Sequence, residues 1–137
     1  MPNLINELRM EHLDLSVSFG NLRHLVAAPE SGWRELQSVK TAILAHVEKE
    51  NQELYPKLRE AAFNNLRLQR ILDWFTRENA RISAALVEFL DKYSKGGSPL
   101  AFRRDFNRLD TIFNALIRQE EAVLFNEYLD ISLDTVA

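Results

Sequence analysis

Apolar residues recur in alternating steps of three and four along four long segments of this chain, and that rhythm restricts it to helices packed around one shared core. The first segment runs Ile5, Leu8, His12, Leu15, Phe19, Leu22, Val26. The second runs Leu36, Val39, Ile43, His46, Glu50, Leu54, Leu58. The third runs Leu68, Leu72, Phe75, Asn79, Ile82, Leu86, Phe89, Tyr93. The fourth runs Phe102, Phe106, Leu109, Phe113, Leu116, Glu120, Val123. Such spacing keeps one stripe of each helix on the same side. No segment alternates in the way a strand would.

Punctuation residues divide the chain. Asn3 reads as the N-cap of a helix over residues 4–28, and Pro29-Glu30-Ser31-Gly32 as the first turn. A second helix is expected over residues 33–62, kinked near Gln52 to Pro56 because the proline removes a backbone bond. Neither glycine nor proline marks the break at Asn64-Asn65. A third helix, 65–95, ends at Gly96-Gly97. Ser98-Pro99, an N-cap followed by proline, opens a fourth over 98–130, and Ile131 to Ala137 reads as a short tail. Short connections between long helices imply antiparallel neighbours. The fold class expected is all-α, an up-down-up-down four-helix bundle forming a single domain over residues 1–137.

The polar residues on the seams carry the functional information. His12, His46, Glu50, Asn79 and Glu120 each stand where an apolar side chain belongs. Counting from the connections at about 1.5 Å per residue brings these positions level along the bundle axis. They are expected to form one buried layer. Burying such groups is costly unless they pair with one another or hold a metal. His46 and Glu50 are one turn apart on one face, and nitrogens and carboxylates converging between helices suit iron, zinc or manganese.

Composition removes several alternatives. The chain has no cysteine, which excludes disulfides, thiolate metal sites and a cysteine nucleophile. It has no apolar run near the ~20 residues that span a bilayer, and Met1-Pro2-Asn3-Leu4 does not read as a signal peptide. A cytoplasmic location without membrane association is the expectation. A formal charge of −3 argues against a nucleic-acid partner.

Glu11-His12, His46-Val47-Glu48-Lys49-Glu50 followed by Leu54-Tyr55-Pro56, Glu78-Asn79, and Glu120-Glu121-Ala122-Val123-Leu124-Phe125 together resemble the hemerythrin-like cation-binding (HHE) family over nearly the whole chain. The resemblance implies a four-helix bundle holding a non-haem di-iron centre, in proteins that bind oxygen, store or sense iron, or respond to redox and nitrosative stress. It implies metal-ligand roles for His12, His46, Glu50 and either Glu120 or Glu121. Two positions depart from the family's pattern. Asn79 and Leu116 stand where histidines are expected, and Phe75 stands where oxygen-carrying members have a further one.

An amide is a poor replacement for imidazole, and leucine cannot ligate at all. Three states of the layer follow: metal-free with histidine–carboxylate pairs, a single weakly bound divalent ion, or a two-metal centre completed by other groups. Iron is the metal the resemblance implies. The expected function is a binding, regulatory or sensory module, neither an oxygen carrier nor an enzyme. The alternative is a residual metal-binding protein that senses iron, oxygen or nitrosative stress.

His24, Glu48, Glu53 and Glu78 fall off the seams and are expected to be solvated. Arg67, Arg70, Trp74, Arg77 and Arg81 form a separate stripe on the third helix, a candidate docking patch for an acidic protein partner. Nothing in the sequence indicates the oligomeric state.

Overall fold

The computed structural model describes residues 3–23, 29–94 and 97–136, with backbone alone for 29–33 and 133–136. The described residues form six α-helices: α1 (Leu4–Asn21), α2 (Pro29–Lys49), α3 (Tyr55–Ala61), α4 (Leu66–Tyr93), α5 (Pro99–Gln119) and α6 (Phe125–Val136). A π-helical turn at Glu50–Leu54 joins α2 to α3, and another at Glu120–Leu124 joins α5 to α6. These joins make four long rods. α1 packs against α2 and α5, α4 packs against the same two, and α3 also meets α6. The result is an all-α four-helix bundle. No described helix is long and apolar enough to cross a membrane.

Side-chain caps set several of the helix starts. The Asn3 side chain accepts from the Ile5 N–H at 2.8 Å, and Ser98 accepts from Ala101 at 3.3 Å ahead of Pro99. The unpunctuated break between α3 and α4 is built from amides. Asn65 accepts from the Leu68 N–H at 3.1 Å, while the Gln69 side chain donates to the Ala62 carbonyl at 2.8 Å. An N-cap of this type stabilises by about 1 kcal/mol. Two amide side chains thus do what glycine or proline does elsewhere.

The boundaries differ from the sequence expectation in three places. The α-helix of the first segment ends at Asn21, followed by one 3₁₀ turn at Leu22 and Arg23, and residues 24–28 with His24 lie outside the described residues. Pro29 to Gly32 form the first turn of α2 rather than a loop, which fits proline's fixed φ at a helix start. The expected tail at residues 131–136 continues α6 instead. The disturbance expected around Pro56 is a π-turn, closed by the Tyr55 N–H on the Glu50 carbonyl. Its twin, closed by Phe125 on Glu120, contains no proline. Proline alone does not explain them.

The core is the set of seams. Leu8, Phe19, Leu54, Leu58, Phe75, Phe106, Leu124 and Phe125 are among its fully buried members. Aromatic packing concentrates at the end holding Phe19, Phe89, Tyr93, Phe102 and Phe106, with ring centres 5.0–6.2 Å apart.

Candidate metal centre

Four polar side chains sit inside this apolar core. His12 is 2% exposed, His46 6%, Glu50 0% and Glu120 3%. One donor atom from each lies within 4.8 Å of the others. α1 supplies His12, α2 supplies His46, and the two π-turns each open on one of the glutamates. A π-turn inserts one residue into the helical repeat, so the side chains around it are re-aimed without breaking the rod.

The imidazoles are close but held differently. Their ring centres are 4.7 Å apart. His12 is stacked against Phe125 at 5.3 Å with 16° between planes. His46 Nδ1 is 2.8 Å from Glu11 Oε1. Toward the centre, His12 Nε2 lies 3.6 Å from Glu120 Oε2 and His46 Nε2 lies 3.5 Å from Glu50 Oε1. Those approaches are too long for good hydrogen bonds. Among the described residues, six buried side-chain atoms consequently lack a partner: both nitrogens of His12, Nε2 of His46, both oxygens of Glu50 and Oε2 of Glu120. Each such atom costs on the order of 1–3 kcal/mol. The test of fit for a cation is that each of the four residues brings one ligand atom to the shared centre, and they pass it.

Electrostatics divides the two carboxylates. Burial, reinforced by the Glu120 charge, lifts Glu50 well above the ordinary carboxylate range. Burial also pushes Glu120 upward, but the nearby His12, Glu50 and His46 side chains outweigh it and leave Glu120 lowered. The two carboxyls, both buried, thus shift in opposite directions. Burial lowers His46 against the opposing pull of Glu11.

Sequence-derived site residues outside the four take other places. Glu121 is at the rim, with Oε1 3.8 Å from His12 Nδ1 and a side chain 35% exposed. Asn79 is half-buried rather than buried, and donates to the Tyr55 hydroxyl at 3.0 Å. The reason is geometric: an amide can reach a phenol that a shorter or apolar side chain could not. Leu116 is buried beside the cluster and lines, with Asn79, Ser83 and Ile117, a cavity of about 20 Å³. Phe75 is in the core, edge-on to Trp74 at 4.8 Å.

The arginine stripe lies on the outer face of α4. Arg67 is clasped by both oxygens of Glu127, Arg81 lies 3.5 Å from Glu78, and Arg77 bonds the Asp73 carbonyl. Arg70 and Trp74 are exposed on that face. Three of the four guanidinium groups are thus engaged within the chain.

The family model of the hemerythrin HHE cation-binding domain matches residues 3–128. The chain belongs to that family. No curated protein and no solved structure gives a match. The HHE domain is one that binds metal ions, and the four buried residues of this one form a group able to hold an ion.

Sequence reasoning gave no role to Glu11, Lys49, Tyr55 or Phe125. Lys49 reaches Glu11 at 2.8 Å and Glu7 at 2.9 Å. A signal was present: Glu7 and Glu11 lie one turn apart on α1, and Lys49 follows His46 by three.

Proposed function

We propose that this HHE domain binds one divalent transition-metal ion through His12, His46, Glu50 and Glu120, and acts as a binding or sensory module rather than an oxygen carrier or an enzyme. The observation that carries the reading is that four buried residues, with six unpartnered side-chain atoms among them, each bring one ligand atom within 4.8 Å of the others. Two imidazoles and two carboxylates suit iron, manganese or zinc. A bound ion would offset the two buried carboxylates that otherwise repel.

Two further features support a single ion. The third-helix position offers an amide already engaged with Tyr55, and the fourth offers leucine. Neither supplies an imidazole for a second metal. The cavity touching the cluster, about 20 Å³, has room for roughly one water-sized molecule. An organic substrate does not fit there. A larger groove of about 240 Å³ lies between α4 and α5 around Phe89 and Leu109, and none of the four cluster residues lines it.

Elemental analysis of protein purified without chelator tests the reading, together with spectra after iron reconstitution in air. One metal per chain and no oxo-bridge absorption are expected. Protein that takes up no divalent ion, or a stable and reversible oxygen-dependent spectrum, overturns it.

A further inference from the structure

The two buried histidines differ in what fixes them. His12 has no short hydrogen bond at either nitrogen, and its ring is located by packing on Phe125 and His46. His46 has one, from Nδ1 to Glu11 Oε1 at 2.8 Å. The other oxygen of Glu11 takes the Lys49 ammonium at 2.8 Å, and Lys49 also reaches Glu7 Oε2 at 2.9 Å. A carboxylate in contact with an ammonium can only accept. The proton between Glu11 and His46 therefore resides on Nδ1. That leaves the Nε2 lone pair directed at Glu50 Oε1, 3.5 Å away, and into the cluster.

We propose that Glu11 is a positioning residue of the cation site, locking His46 in the Nδ1–H tautomer so that Nε2 is the ligating atom, with Lys49 and Glu7 holding Glu11 in place. The inference rests on the reading that the cluster binds a cation. Ligating imidazoles that hand their second N–H to a carboxylate gain both orientation and basicity, and removing that partner typically costs 10–100-fold in metal affinity. Glu11 is itself one-third exposed, outside the ligand set, and Lys49 keeps Glu7 when Glu11 is lost. The bundle therefore has no stranded buried charge in a Glu11 variant.

The test uses the full chain as wild type, Glu11→Ala, Glu11→Gln and Glu121→Ala. Two-bond ¹H–¹⁵N spectra of the metal-free proteins read the His46 tautomer, and chelator competition reads the affinity for Zn²⁺. Wild type should show His46 as the Nδ1–H form. Glu11→Ala should lose that preference and bind Zn²⁺ about 10–100-fold more weakly. Glu11→Gln retains an acceptor oxygen and should recover most of both, while Glu121→Ala should match wild type. Wild-type tautomer and affinity in Glu11→Ala would overturn the proposal. So would a Glu11→Gln no better than Glu11→Ala, because charge rather than hydrogen bonding would then be at work. Wild type that binds no Zn²⁺ removes the cation site itself, an outcome distinct from a site that binds but ignores Glu11.

Discussion

Asn79 donates its side-chain amide to the Tyr55 hydroxyl at 3.0 Å, and the pair mirrors the stack of His12 on Phe125. Tyr55 follows the π-turn that begins at Glu50, and Phe125 follows the one that begins at Glu120. Each half of the bundle thus offers a glutamate, an intervening π-turn and an aromatic ring. One half keeps an imidazole against its ring. The other has an amide bonded to a phenol.

That asymmetry predicts a route to a second metal. Asn79→His combined with Leu116→His places imidazoles on α4 and α5 beside the existing carboxylates. Iron bound per chain should rise from one toward two, measured by elemental analysis after reconstitution. An unchanged ratio would mean that the helices have moved apart as well as lost their ligands.

A proton should leave when the ion arrives. Glu50 is raised by burial and by Glu120, so the folded, metal-free chain releases that proton at higher pH than an ordinary carboxyl does. A raised group contributes stability that is full below its unfolded pKa and lost as pH rises through its folded pKa. Cation binding requires the carboxylate and displaces that proton. Apparent affinity should therefore climb with pH and level off only above the raised folded value. Calorimetric titration in two buffers of different ionisation enthalpy measures the protons released, and a count of zero would contradict this picture.

The seams made the bundle legible, because period-3.6 patterning acts over whole helices and survives local irregularity. His12, His46, Glu50 and Glu120 stood out for a related reason: a titratable side chain on a core stripe is an exception that must be compensated. What stayed hidden depends on rotamers and on contacts between rods. Glu11 had no role assigned beside His12, yet it crosses to His46 on α2. Pro56 signalled a disturbance but not a π-turn, and the second π-turn at Glu120 has no composition marker. The start of α2 at Pro29 was misread because Pro-Glu-Ser-Gly opens a helix as readily as it makes a turn.

The distant end of the bundle provides a pH test independent of metal. Asp105 Oδ2 accepts from the Tyr93 hydroxyl at 2.5 Å and from Lys92 at 2.7 Å. Lys92 first, then Tyr93, pulls the Asp105 carboxyl down to about 2. A depressed carboxyl contributes stability that is present above its unfolded value of 3.8 and lost as pH falls toward the folded one. Asp105→Asn should melt below wild type at neutral pH, and the gap should close as pH approaches about 2. A gap that persists in acid would assign the loss to packing around Tyr93 instead.

Thermal melting of wild type and His46→Ala, each with and without chelator, separates a metal-held layer from one held by its own charges. Removing the His46 imidazole deprives Glu11 of a donor and leaves Glu50 facing Glu120 without its nearest nitrogen. If the layer is metal-free, that change leaves buried carboxyl groups short of a polar neighbour at a typical cost of about 1–3 kcal/mol each, and chelator leaves wild type unmoved. If an ion holds the layer, chelator lowers the wild-type melting point by mass action. His46→Ala should then melt at one temperature whether chelator is present or not, since its site can no longer hold the ion. The proposed function requires the second pattern. A wild-type melting point indifferent to chelator, beside a large loss in His46→Ala, would establish the metal-free layer in its place.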